Sequence, residues 1–195
     1  MRLILASSSR YRQTMLARLR IPYTAIAPNV DETPRPHESP ANLALRLSIA
    51  KANAVARHHS NALVIGSDQV ATIKGEPIGK AGNFETAQIQ LRQLSGQTVE
   101  FHSALCVTDG RRSETADVLT HCQFRVLTEA EIDSYLRIEQ PYDTAGSAKA
   151  ESLGIALMES MRSDDPTAIV GLPLIALCRM LRSFGLNPIT FSEAP

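Results

Sequence analysis

Asp68 closes the apolar run Leu63-Val64-Ile65-Gly66-Ser67-Asp68-Gln69, which reads as a buried strand carrying a carboxylate to its carboxyl end, where α/β proteins place their ligands. A second strand-like segment, Leu3-Ile4-Leu5-Ala6, runs into Ser7-Ser8-Ser9 and then Arg12 at the start of a helix-like stretch. Free backbone N–H groups, hydroxyls and the helix dipole converge on an anion at such a turn, and the Arg12 guanidinium forks two oxygens. An acid beside an anion cradle is equipment for hydrolysing a phosphoanhydride. That reaction needs donors for the phosphate oxygens, a divalent ion and an oriented water. Glu32 and Asp68 would suffice for a magnesium ion that also binds substrate phosphates, and Lys51 and Lys80 supply further positive charge. Each residue taken singly has a plainer reading. Serines before a helix cap it, a carboxylate after a strand caps a turn, and lysines are usually solvated.

The elements that must position these groups follow from the pattern. Met15, Leu16 and Leu19 give Arg10 to Leu19 a helical stripe, with Pro22 beyond its end, and Tyr23 to Ala27 reads as a second strand. Pro28 to Pro40 holds four prolines and Glu32 in a long surface loop, a length that often marks function. Ser39 caps and Pro40 opens a helix whose face Leu43, Leu47, Ala50 and Ala54 runs out to His58, with Lys51 one position past the stripe. After Asp68, Val70 to Ile73 and the Lys74-Gly75-Glu76 turn suggest a hairpin. Lys80 then precedes a helix over Phe84 to Leu94 that Ser95-Gly96 ends. Thr98 to Thr108 and Thr115 to Val126 read as long strands, the second with Val118, Thr120, Cys122, Phe124 and Val126 on one face. Thr128 to Glu131 forms a capping box for a helix to about Ile138. Ile155 to Met161 returns as a strand, and Gly171-Leu172-Pro173 starts a helix with Leu174, Leu177, Cys178 and Leu181 inward.

Bulk composition narrows the field. At 195 residues and 44% hydrophobic content the chain buries one good core and is short for two independent domains. Twenty basic and twenty acidic side chains cancel, which disfavours a nucleic-acid polymer or an anionic membrane as partner. Arg2 before a short apolar tetrapeptide is no signal-peptide core, and no run of eighteen apolar residues occurs, so a cytoplasmic protein is expected. Cys106, Cys122 and Cys178, odd in number and far apart, read as reduced core residues rather than disulfides or zinc ligands. The histidines lack metal-ligand spacing, and the chain has no G-x-x-x-x-G-K-[ST] loop, no G-x-G-x-x-G fingerprint and no G-x-S-x-G elbow.

The order of seven segments resembles the Maf family of nucleotide pyrophosphatases: Leu5-Ala6-Ser7-Ser8-Ser9-Arg10-Tyr11-Arg12, Val30-Asp31-Glu32, Ala50-Lys51-Ala52, Gly66-Ser67-Asp68-Gln69, Gly79-Lys80, Ala145-Gly146 and Val170-Gly171-Leu172-Pro173. The resemblance implies a single domain over residues 3–186 with two lobes, an α/β fold related to inosine triphosphate pyrophosphatase, and an elongated mixed sheet with flanking helices and a central substrate cleft. It implies cleavage of nucleoside triphosphates to monophosphate and pyrophosphate with a divalent metal, Mg or Mn, held by Glu32 and Asp68. Asp68 takes the place of the family's proton acceptor, and Ser7, Ser9, Arg12, Lys51 and Lys80 that of its phosphate-binding groups. A homodimer is implied as well. Arg10 and Ala81 stand where the family usually has proline, a departure that leaves the charged and hydroxyl groups in place.

Three positions carry the family's base preference, and here they are Tyr11, Gln69 and Glu151. An aromatic residue, Gln and Glu resemble the branch acting on 7-methyl-GTP, whereas the branch acting on dTTP and UTP usually has Arg, Thr and Gln. Methylation at N7 makes guanine cationic, which favours an aromatic face at Tyr11, and Glu151 accepts from the N1–H and N2–H₂ edge that pyrimidines lack. The same chemistry on dTTP, UTP or another modified nucleotide is the alternative within the family. A different class also stands open: a binding protein acting on septum formation in cell division, with the pocket as a sensor.

Overall fold

The computed structural model of the protein describes residues 2–191. A seven-stranded mixed sheet has the order β2-β1-β3-β5-β6-β7, with β4 paired to β3 off this path. Its strands are β1 (Arg2–Ala6), β2 (Tyr23–Ala25), β3 (Ala62–Ile73), β4 (Glu76–Ile78), β5 (Thr98–Thr108), β6 (Ser113–Phe124) and β7 (Met158–Ser163). β2, β1 and β3 run parallel, and β3, β5, β6 and β7 are antiparallel neighbours. The helices are α1 (Arg10–Ala17), α2 (Pro40–Ala56), α3 (Phe84–Leu94), α4 (Glu129–Glu139) and α5 (Leu174–Ser183).

Local signals set most of these boundaries. Ser9, Ser39, Asn83 and Thr128 each accept a backbone N–H at their helix start, Thr128 within a complete capping box closed by Glu131. Pro40 occupies the first turn of α2, as the fixed φ of proline favours.

Three departures from the sequence expectation have physical causes. β3 does not end at Asp68. It continues to Ile73 because β5 pairs with it from Val64 to Thr72, so Asp68 is a mid-strand residue. Leu153–Leu157 is a 3-10 turn, and only Met158 onward is strand. Val126 lies beyond β6 and is 81% exposed, whereas Cys122 and Phe124 of the same alternation are buried. Of the three free cysteines, Cys106 and Cys122 are buried and Cys178 is half-buried. Burial pushes the first two thiols up to about 11 and about 12, so they stay protonated near neutral pH.

Alternation along β3 divides the core. Even-numbered residues face α2: Val64 packs with Ile4 and Val55, and Val70 with Leu43, Leu47 and Ala104. Odd-numbered residues face the other side in two separate clusters. Leu63 and Ile65 pack with Leu16, Leu105 and Leu177 of α1, β5 and α5. Ala71 packs with Phe101, Leu91 and Leu136 of β5, α3 and α4. Between the clusters the odd face of β3 carries Ser67 and Gln69. Among the described residues no helix is long and apolar enough to cross a membrane.

One irregularity of the sheet matters for everything below. On one edge of β3, β5 pairs without a break from residue 64 to 72. On the other, β1 pairs with Ala62 to Gly66 and β4 with Ala71 to Ile73, which leaves Ser67, Asp68, Gln69 and Val70 without a strand beside them. The sheet has a gap there.

Candidate active site

The gap explains how neighbouring strand residues that point to opposite faces reach one cleft. Asp68 enters it from the α2 face and Gln69 from the other. Around it lies a cavity of ≈ 640 Å³ lined by Ser7 to Arg12, Pro28, Glu32, Lys51, Asp68, Gln69, Lys80 and Asp143. A smaller cavity of ≈ 130 Å³ adjoins it, sharing Tyr11, Arg12, Gln69, Lys80 and Asp143 and adding Phe101, Glu151 and Gly171. All nine of the other candidate residues line the large cavity, and Glu151 lines the small one.

Lys51 is the centre of the charge arrangement. Its ammonium lies 2.6 Å from Asp68 Oδ1 and 2.8 Å from Glu32 Oε1, joining α2, β3 and the proline-rich loop. Lys51 is only 5% exposed, so the plain reading of it as a solvated lysine fails. It is buried because α2 presses onto β3 at Gly66. A Cβ at Gly66 would meet Ser48 O and lie 2.6 Å from Ala52 N, and the absence of one lets the helix approach closely enough for Lys51 to reach Asp68.

The two carboxylates respond differently. Burial raises the Asp68 pKa above its ordinary value, and the Lys51 charge and hydrogen bond offset that only in part. Burial by itself raises Glu32, whose side chain is 59% exposed, but Lys51, Lys80 and Arg12 together outweigh the effect and leave its pKa lowered. A carboxylate whose pKa burial raises and one whose pKa neighbouring cations lower thus share one ammonium.

Opposite them, the serine turn caps α1. Ser7 is buried and its hydroxyl accepts from Ser9 N at 3.1 Å, while Ser9 accepts from Arg12 N. Arg12 Nε donates to the Gly171 carbonyl at 3.0 Å, which holds the guanidinium against the cleft wall. Gly171, at φ 96°, supplies the left-handed turn that closes the 3-10 segment Ala168–Val170, and its carbonyl also accepts from Ser67 Oγ at 2.9 Å. Lys80 is exposed, and its backbone forms an isolated bridge to Ala145. The Tyr11 hydroxyl donates to Asp143 at 3.2 Å across the cavity. Burial and the Asp143 charge push that phenol up to about 12, so it remains a donor at neutral pH. Arg10 begins α1, exposed and at the cavity rim, and Ala81 is buried, so neither departure from proline disrupts the turns.

Sequence reasoning missed Ser67, Ser103 and Asp143 and the role of the Gly171 carbonyl. Ser103 offered one signal, a small polar residue inside the long strand Thr98 to Thr108.

Fold and cleft together define an α/β protein that gathers lysine and arginine charge, the carboxylates Glu32, Asp68 and Asp143, and a serine turn around an opening in its sheet. The chain belongs to the Maf family: the profile of the family described as Maf-like protein matches residues 2–184. It is 71% identical over 189 residues to a protein of Bordetella pertussis named 7-methyl-GTP pyrophosphatase, covering 97% of this chain and 95% of that one. A Burkholderia pseudomallei protein of the same name is 57% identical over 199 residues, covering 100% and 92%. Among solved structures, a HAM1 protein from Coxiella burnetii superposes with a TM-score of 0.56 at 16% identity, over 94% of this chain and 99% of that one. That likeness supports the expected fold class, a mixed sheet with flanking helices.

Proposed function

We propose that this protein is a nucleoside triphosphate pyrophosphatase that hydrolyses 7-methyl-GTP to 7-methyl-GMP and pyrophosphate. The observation that carries the chemistry is the Asp68–Lys51–Glu32 bridge in a cleft whose opposite wall is Ser7, Ser9 and Arg12. The names of the Bordetella and Burkholderia relatives support the substrate.

In this reading the triphosphate lies in the larger cavity against the α1 turn, where Ser7, Ser9, Arg12, Lys51 and Lys80 neutralise it. A water attacks the α-phosphorus, the bond to the bridging oxygen of the β-phosphate breaks, and pyrophosphate leaves. Asp68 orients that water and takes its proton, a role suited to a carboxylate whose pKa burial has raised. The residues present fit a divalent cation, Mg or Mn. Asp68 and Glu32 are hard oxygen donors whose shared contact with Lys51 brings them close together. A cation held by them would sit beside that ammonium with the phosphates as its remaining donors, and one or two carboxylates plus substrate phosphates is the usual magnesium arrangement. Bound there, the cation would supply charge neutralisation at the phosphates. The base lies in the smaller cavity, with the Tyr11 ring against the cationic methylated purine and Glu151 accepting from its donor edge. We further propose one folding unit over residues 3–186 with two lobes, a homodimer, and action in the cytoplasm on a small-molecule nucleotide.

The test is pyrophosphate release with Mg or Mn across 7-methyl-GTP, GTP, dTTP, UTP and CTP. Preference for 7-methyl-GTP is expected. Preference for a pyrimidine would sink the assignment of Tyr11, Gln69 and Glu151, and release from none would favour the septum-directed binding protein. Arg12→Lys keeps the charge but loses the fork and the bond to Gly171, so kcat/KM should fall about 10–100-fold. An Arg12→Lys enzyme within twofold of the parent would mean that this guanidinium does not touch phosphate.

A further inference from the structure

Gln69 and Ser103 stand directly opposite each other on β3 and β5, in the polar band between the two core clusters. The Gln69 amide nitrogen lies 3.0 Å from Ser103 Oγ, 3.1 Å from the Ala168 carbonyl and 3.0 Å from the Ile169 carbonyl. Carbonyl oxygens only accept, so the amide must present its NH₂ to them, and its orientation is fixed by chemistry. Ser103 is fully buried and spends its own proton on Ala168 O, 2.7 Å away. Its oxygen is therefore left as an acceptor for Gln69. Both amide hydrogens are consumed on this side. Gln69 Oε1 takes no hydrogen bond among the described residues, and it lies toward Gly171, where a Cβ would come within 3.9 Å of it. Gln69 and Glu151 line the same ≈ 130 Å³ cavity.

We infer that Ser103 is a positioning residue for base recognition: with the Ala168 and Ile169 carbonyls it locks the Gln69 amide so that its oxygen faces the base pocket. The pocket then offers two acceptors, Gln69 Oε1 for the 2-amino group and the Glu151 carboxylate for N1–H. The base class that fits is one with two adjacent donors on a single edge. Guanine has N1–H beside N2–H₂. Adenine and cytosine put an acceptor beside their amino group, and uracil and thymine flank a single N–H with carbonyls. A glutamine free to rotate would offer its NH₂ to those carbonyls, and the lock forbids that. The inference rests on the proposed nucleotide chemistry for its substrate but not for its geometry.

The experiment uses the full chain and compares kcat/KM for 7-methyl-GTP with that for 7-methyl-ITP, which lacks the 2-amino donor. The parent should favour 7-methyl-GTP by about tenfold or more, the scale of one recognition hydrogen bond. Ser103→Ala removes one of the three acceptors of the amide and takes the hydroxyl donor off Ala168 O, so that ratio should fall severalfold, mainly through KM for 7-methyl-GTP. In a Gln69→Met background Ser103→Ala should leave the ratio unchanged, because the serine acts through the glutamine. Damage to folding alone would lower both substrates together and keep the ratio, which would overturn the assignment, as would an equal effect of Ser103→Ala in both backgrounds. A readout independent of turnover separates this from failure of the proposed activity. The Gln69 side-chain amide ¹H–¹⁵N pair should be shifted and well resolved in the parent and move part of the way toward free-glutamine positions in Ser103→Ala. A parent amide already at free-glutamine positions would overturn the lock whatever the enzyme hydrolyses.

Discussion

Asp68→Asn is expected to lower kcat by about 10²–10⁴-fold, the range that loss of a general base produces, while leaving a folded protein. Asn preserves the volume and one acceptor for Lys51, so the bridge to α2 keeps its geometry. Burial gives Asp68 a raised pKa in spite of that lysine, which has a thermodynamic consequence of definite sign. Below the ordinary value of 3.8, folded and unfolded chains are both protonated at this site. Above it the unfolded chain ionises first and the folded chain holds its proton longer. Stability therefore falls as pH rises from 3.8 to the folded-state value and stays lower beyond it. An uncharged amide escapes that loss. Loss of the charge partner of buried Lys51 is a separate cost, so the expected result is a trend: the difference in melting temperature between Asp68→Asn and the parent should shift in favour of the variant as pH rises from acid to neutral. Retention of more than a tenth of the parent kcat would refute the assigned role, and a melting difference that stays flat or turns against the variant as pH rises would refute the account of its charge.

Gly66→Ala should be the most damaging single-methyl change near the cleft. The new Cβ would collide with the backbone of α2 at Ser48 O and Ala52 N, and neither is a flexible side-chain end that yields. Overpacking of cores costs about 1–3 kcal/mol and more where backbone must move, so about 3 kcal/mol or more is expected from urea unfolding. The helix cannot retreat without carrying Lys51 away from Asp68, so the fraction that folds should also be slow. Gly79→Ala is the control, since a Cβ there meets nothing within 4 Å. Equal stabilities for the two variants would show that α2 does not rest on Gly66 as described.

The sequence was most informative where local chemistry decides the outcome. Phe84–Leu94 and Thr98–Thr108 begin and end where their caps and turn residues place them. It was least informative where a distant segment decides. Gly66-Ser67-Asp68-Gln69 looks like the end of a strand because its composition is turn-like, and only the unbroken pairing with β5 carries the strand through it. Lys51 sits one step off an apolar stripe, which on a two-sided helix means a border with solvent. Here it means a buried cation, because a glycine on another element admits the helix. Leu153–Leu157 has no capping side chain and becomes a 3-10 turn that its apolar residues alone do not distinguish from a strand. The cleft residues were legible as types and order. That Asp68 and Gln69 reach the same space from opposite faces was not, since it depends on where two other strands stop.

The same gap has a consequence for solvent. Along a strand alternate peptide groups point to opposite neighbours, so within Ser67 to Val70 every second N–H and C=O is turned away from β5 toward the opening. These groups lie in the middle of the most enclosed strand of the sheet, yet no strand bonds them. Amide hydrogen exchange should find them behaving like an edge strand, quick in the free protein beside slow neighbours at Val64 and Ile65. A bound nucleotide that fills the opening should slow them most of all. The interior of this sheet would then carry its own reporter of occupancy, written in backbone protons.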